Sequence, residues 1–345
     1  MLSRLRLWSL VNPTSLLLLS SIALGSVLGY RLPVAGEWLG ARIDATLLAL
    51  VTLLFFGVRF GALVQAAGRI RFIAIALFTN FVLIPLLGYG VASVMMAGQP
   101  LVMLGLLIYF VAPCTDWFLA FTRMSGGNVA LGTALIPLNM GLQLLLYPLY
   151  LGLFTRHSAH IEPSVIGDTL LHWFLAPLLI GVLTHALLRR VLGTARFERV
   201  LAGAARATSW FVACLVMEIF ASNIGVILLH ADVFARLLLS AFIFFAATFL
   251  LGEAISRLCG LAYPERALLT MTTAARNAPL MLAVTTAAIP GQPLVYAALV
   301  LGMLVEFPHL TALLNLLLGT GRRQAAAQRG GDPLAASSSQ PPEHS

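Results

Sequence analysis

The sequence predicts an all-α membrane protein of ten transmembrane helices, built as two inverted five-helix repeats whose fourth and ninth helices are broken. Three observations lead there. First, 60% of the 345 residues are hydrophobic and 10% are charged, with a mean hydropathy of +0.95, too apolar for a water-soluble surface around one core. Second, apolar windows of about 20 residues, the length a hydrocarbon core requires, can be placed ten times. Third, the arginines alternate in density between successive loops.

In order, the windows cover 13–30, 43–65, 72–96, 101–122, 128–155, 164–188, 207–229, 234–258, 265–289 and 293–318. The first resembles a signal peptide, with Arg4 and Arg6 before an apolar run, but the small-residue pattern that ends it is a poor cleavage site, and it is taken as a span. All 21 basic residues are arginine. With the N-terminus inside, fifteen of them face the cytoplasm and four, Arg31, Arg42, Arg156 and Arg236, face outward, leaving out Arg59 and Arg276 within spans. That bias supports an even number of spans and cytoplasmic N- and C-termini. It also removes nucleic acid as a partner: the net charge of +8 sits in loops and forms no phosphate-binding face.

Five is odd, so a repeated five-span unit re-enters the membrane from the opposite side. The repeats would be about 10–157 and 163–320 of a single transporter domain, 1–320. Residues 321–345, rich in Gly, Ser, Gln, Pro and Ala, read as a disordered cytoplasmic tail. The halves share little identity by eye, but their irregularities correspond. Span four carries "APCTDW" and span nine carries "TTAARNAPL" at similar depth. Pro113 and Pro279 mark these as helix breaks, and paired breaks are where transporters expose backbone groups to a solute or ion. The plainer alternative is two proline kinks with no ligand.

The polar residues inside the spans are the candidate transport site. Asp116 and Arg276 stand near the midplane on the two broken helices, where an unpaired charge is costly. They are expected to pair, either as structural glue or as a proton or cation switch. Cys114, beside the break, is either a small hydrophobe or a ligand for a thiophilic solute. Asn139 and Gln143, at i and i+4, share one helix face, and suit either a hydroxylated solute or helix packing. Thr115 and Asn277 flank the breaks, and Glu306 precedes Pro308 in span ten. Cys114, Cys214 and Cys259 have no metal or disulfide spacing, so no metal and no cofactor are expected.

Several stretches together resemble the arsenical resistance-3 family of arsenite permeases, within the bile acid:sodium symporter superfamily. They are "LFTNFVLIPLL" from Leu77, Cys114 after Ala112-Pro113, "ALIPLNMGLQLLLYPLY" from Ala134, "GLAYPERALLTMTTAARNAPLMLAV" from Gly260, and "VEFPHLTALLNL" from Val305. The resemblance runs over nearly all ten spans. It implies a bile acid symporter-like fold in which a core domain with crossed broken helices moves against a panel domain. It further implies export of arsenite or antimonite driven by a proton gradient, with Cys114 as the essential thiol and Glu306 on the pathway. The chain departs from the family at two places: Pro113 stands where an arginine usually precedes the cysteine, and Arg276-Asn277-Ala278-Pro279 stands where Asn-Asn-Phe-Glu is usual.

The expectation is therefore a secondary transporter of the plasma or inner membrane, taking a small-molecule or oxyanion substrate and not acting as an enzyme. The alternative is a sodium-coupled transporter of an organic anion. In that case Arg276 would face a substrate carboxylate and Thr115, Asp116, Asn128 and Asn277 would hold the cation.

Overall fold

The computed structural model describes residues 13–57, 68–115, 117–155 and 163–330. Apart from turns and the breaks between helices, these residues are helical. Helix α1 (Pro13–Arg31) leads to a short α2 (Pro33–Gly40) and α3 (Ile43–Phe56), then α4 (Ile70–Phe78), a π-helical turn (Thr79–Leu83) and α5 (Ile84–Met95). Helices α6 (Pro100–Val111) and α7 (Trp117–Met124) flank one break, and α8 (Val129–Thr155) follows. After it come α9 (Pro163–Leu228), α10 (Ala231–Leu258), α11 (Tyr263–Ala274), α12 (Ala278–Ala288) and α13 (Pro293–Gly330).

Helices alone can cross hydrocarbon here, because each satisfies its own backbone polar groups. Five stretches are long and apolar enough to do so unaided: Ile70–Met95, Val129–Phe154, Ala176–Leu228, Asp232–Leu258 and Pro293–Thr320. A sixth arises if α2 and α3, bent by 44°, count as one. The chain is thus a multi-pass membrane protein. Helix α9 is two helices in one: Gly193 (φ 68, ψ 166) breaks it between two arginine-bearing turns, in a conformation open to glycine. Helix α13 continues to Gly330, into the segment expected to be a tail, and 331–345 lie outside the described residues.

Three departures from regular helix have local causes. Pro85 has no N–H to give the carbonyl four residues back, and its ring crowds that carbonyl. The helix widens into the π-turn Thr79–Leu83, and the Phe81 carbonyl instead accepts from the Tyr150 hydroxyl at 2.6 Å. Pro113 drives the residue before it out of the α region, and Ala112 is extended (φ −103, ψ 103). Pro279 acts differently, starting α12 in its first turn, where a missing N–H is harmless.

The helices pack in two groups. Helices α1, α2 and α3 lie mainly on α9, while α4 to α8 and α10 to α13 pack among themselves, with α12 and α13 also touching α9. Small residues set the first contact. A Cβ on Gly25 would meet the Met217 carbonyl at 2.4 Å, and one on Gly29, four residues on, would meet the Ala221 carbonyl at 2.0 Å. Without water to drive helices together inside a membrane, such close backbone approach supplies much of the attraction.

Backbone cannot yield as a side chain can, so Gly29→Ala should cost on the order of 1–3 kcal/mol and lower the thermal midpoint of the purified protein. Gly141→Ala, in α8 with nothing within 4 Å of its added methyl, should leave the midpoint unchanged or raise it. Equal midpoints for the two variants would contradict the packing of α1 on α9.

Candidate functional site at the crossing of two broken helices

The two breaks meet. Pro113 and Arg276 lie opposite each other in an isolated antiparallel bridge, closed by Cys114 N–H to the Ala275 carbonyl (3.0 Å) and Asn277 N–H to the Ala112 carbonyl (2.9 Å). This is the wide kind of antiparallel pair, in which the two facing residues exchange no bonds with each other. Proline therefore fits at 113 without loss. The Arg276 N–H, turned away from the bridge, donates instead to Glu306 Oε1 at 3.0 Å.

Arg276 and Glu306 are 0% and 3% exposed, yet no ion pair between their side chains is formed among the described residues. The guanidinium turns to carbonyls: Nη1 donates to Phe110 O at 2.8 Å, and Nη2 donates to Thr272 O at 3.4 Å and to Thr273 O. These belong to the last turns of α6 and α11, where helix carbonyls lack partners and carry partial negative charge. Its carbon also lies 5.8 Å from the centre of the Phe244 ring, within cation–π range, and Phe244 stacks on Phe110 at 3.7 Å. The Glu306 carboxylate takes its other bond from the Tyr109 hydroxyl at 2.9 Å. Gly302, one turn earlier on α13, makes room for that ring, since a Cβ there would fall 2.7 Å from it.

A second polar group lies beside the break and is joined to it through Thr272. The Thr272 hydroxyl accepts from Asn80 Nδ2 and from Asn139 Nδ2, each at 3.3 Å. Asn80 sits in the π-turn, Asn139 on α8 and Thr272 on α11, and all three are fully buried. Gln143, one turn from Asn139, is 2% exposed. Among the described residues, Asn80 Oδ1, Asn139 Oδ1 and both Gln143 amide atoms are buried without a hydrogen-bond partner. Such atoms are rare in folded proteins and ask for an explanation.

Asn277 caps α12, its Oδ1 accepting Leu280 N–H at 3.4 Å while Nδ2 donates to Thr115 Oγ1 at 3.2 Å. Cys114, 2% exposed, packs with Phe72, Phe118 and Leu135 and forms no disulfide. A cavity of about 530 Å³ reaches this place from one side, with Thr115, Trp117 and Pro279 in its wall together with Arg123, Ser209 and Thr208. Cys114, Asn139, Gln143, Arg276 and Glu306 are not in that wall.

The structure thus brings Pro113, Thr115, Arg276, Asn277 and Glu306 to one crossing, and Asn139 into contact with it through Thr272. Gln143 stands one helical turn beyond. Asp116 lies outside the described residues, so the expected Asp116–Arg276 pair is not addressed; the described partners of Arg276 are carbonyls and the ring of Phe244. In the sequence, Asn80 of span three poses the same alternatives as Asn139 and Gln143, a hydroxylated solute or helix packing, while Tyr109 and Thr272 are not singled out as site residues. Thr272 lies in the last turn of α11, at the start of the "TTAARNAPL" stretch, and that place beside a break was the available signal. Tyr109 offered none.

The chain matches the sodium bile acid symporter family over residues 46–230, just over half its length. It is also similar to the arsenical-resistance protein Acr3 of Corynebacterium glutamicum, 24% identical over 277 residues, which cover 76% of this chain and 74% of that protein.

Thr272→Val keeps the shape but removes the acceptor of two buried amides, and leaving buried donors unpaired costs about 1–3 kcal/mol. The thermal midpoint should fall by more than in Thr248→Val, where the hydroxyl bonds only the carbonyl one turn back. Comparable midpoints for the two variants would argue against the Thr272 junction.

Proposed function

The chain belongs to the sodium bile acid symporter family, and from that premise we propose that it is a secondary transporter exporting arsenite or antimonite, as the small neutral oxyacid, in exchange for protons. The observation that carries the reading is the group of buried amide atoms without partners beside two crossed helix breaks. A neutral trihydroxy acid has donors and acceptors at close spacing on one small body and can pair with both the amide oxygens and the amide N–H groups. An organic anion would need a cation to face, and the Arg276 guanidinium is already engaged with carbonyls. The similarity to an arsenical-resistance protein favours the same substrate class.

In this reading the ten spans form two inverted five-helix repeats in the plasma or inner membrane, with cytoplasmic termini. The group of α1, α2, α3 and α9 serves as the panel and the remaining helices as the core. With the arginine-rich loops inside, the cavity that includes Arg123 opens to the cytoplasm, so the conformation is inward-facing. Solute enters the cavity, passes Thr115 and Asn277, and is held by Asn139, Gln143 and Asn80, with Cys114 as a thiol ligand for trivalent arsenic. Movement of core against panel then exposes the site outside. A carboxylate at the crossing, Asp116 or Glu306, takes up the returning proton after release.

The test is arsenite accumulation by everted membrane vesicles under an imposed pH gradient. Wild-type vesicles should accumulate it, while Cys114→Ala, Gln143→Leu and Glu306→Gln should each lose about tenfold or more of the rate, the scale of losing a charged or paired contact. Absence of gradient-driven accumulation by folded wild-type protein would refute arsenite export, and sodium-driven uptake of organic anions would then be measured in the same vesicles.

A further inference from the structure

Where two helices break in a membrane, the freed carbonyls at their C-terminal ends form a nest of partial negative charge, and in transporters of this architecture that nest ordinarily holds a bound cation. Here the carbonyls of Phe110 at the end of α6 and of Thr272 and Thr273 at the end of α11 converge on one group, and that group is covalently part of the chain. We propose that the Arg276 guanidinium is a tethered substitute for a coupling cation, holding the two broken helices together permanently and making the protein independent of sodium.

The geometry supports this on three points. The guanidinium bridges both helices, as a shared ion would. The bonds run to main-chain oxygens, the ligands a hard monovalent cation takes when it sheds water, and a planar fork of fixed donors matches several of them at once. A carboxyl group also belongs to the crossing, because Glu306 accepts the Arg276 backbone N–H and leaves the guanidinium to the carbonyls. Arg276 cannot dissociate between transport steps, so it supplies structure to the crossing and no driving force. Any energy for uphill movement must come from another ion, which is why the inference deepens the proton-exchange reading and rests on the same crossing.

The test needs no substrate and so stands apart from the arsenite experiment. The purified full-length protein in nanodiscs is melted in sodium chloride, potassium chloride and choline chloride at equal ionic strength, and equilibrium binding of radioactive sodium is measured alongside. Wild-type protein should melt at one temperature in all three salts and bind no sodium saturably. Arg276→Ala should melt lower in choline and recover by an amount on the order of 5 °C in sodium, as a ligand that binds the folded state does. Arg276→Lys, which keeps a charge near the nest, should remain indifferent to sodium and serves if the alanine variant fails to fold. Saturable sodium binding by wild-type protein would overturn the proposal and point to the amide oxygens of Asn80, Asn139 and Gln143 as ligands. A folded Arg276→Ala that melts alike in sodium and choline would overturn it too.

Discussion

Two main-chain hydrogen bonds, Cys114 N–H to Ala275 and Asn277 N–H to Ala112, are the constraint on which the rest of the protein is arranged. A helix interrupted within hydrocarbon exposes donors and acceptors that no water will meet. The bridge pairs some of them, and the remainder dictate the surrounding side chains. Carbonyls at the ends of α6 and α11 require a cation, and Arg276 is there. The N–H turned out of the bridge requires an acceptor, and Glu306 is there. Tyr109 then completes the carboxylate, and Gly302 makes space for Tyr109. Each residue answers a need created by the one before.

Beside this break, where the Arg276 guanidinium leaves Nε without a hydrogen-bond partner, the unpaired amide atoms of Asn80, Asn139 and Gln143 form a larger group. Among the described residues, Thr272 joins the two groups by hydrogen bonds: its carbonyl serves the arginine and its hydroxyl serves the asparagines. The protein therefore separates two tasks that a broken helix can perform together. One set of polar groups holds the crossing through most of its donors and acceptors; the other leaves several buried amide atoms unpaired.

How much of this could be read from the sequence varies with the length scale of the cause. The all-helical, multi-pass character was legible because hydrocarbon thickness and apolar run length are tied together, and helices α6 and α11 end at "APCTDW" and "TTAARNAPL". The charges at the crossing were legible as a problem but not as a solution. An arginine in a membrane span calls for partners, and a carboxylate is the first to suggest itself, whereas the described partners are carbonyls that every residue carries and no sequence distinguishes. The π-turn at Thr79–Leu83 follows from Pro85 only once Tyr150 is known to reach Phe81. The short helix Pro33–Gly40 and the sharp turn at Gly193 that divides α9 were likewise settled by packing and by single backbone angles that composition does not carry.

The wide bridge has one more implication. Its two bonds are related by a local two-fold axis, but its facing residues are not alike: residue 276 offers an N–H and residue 113 cannot. Because neither facing residue contributes a bond to the bridge, the frame itself does not depend on which residue stands at 113 or 276; the demand at 276 comes from Glu306, which accepts its N–H. An arginine on either strand would begin from an equivalent place. The crossing thus acts as a two-sided fitting, in which the frame is set by the flanking residues and the polarity of the pocket by which strand bears the charge.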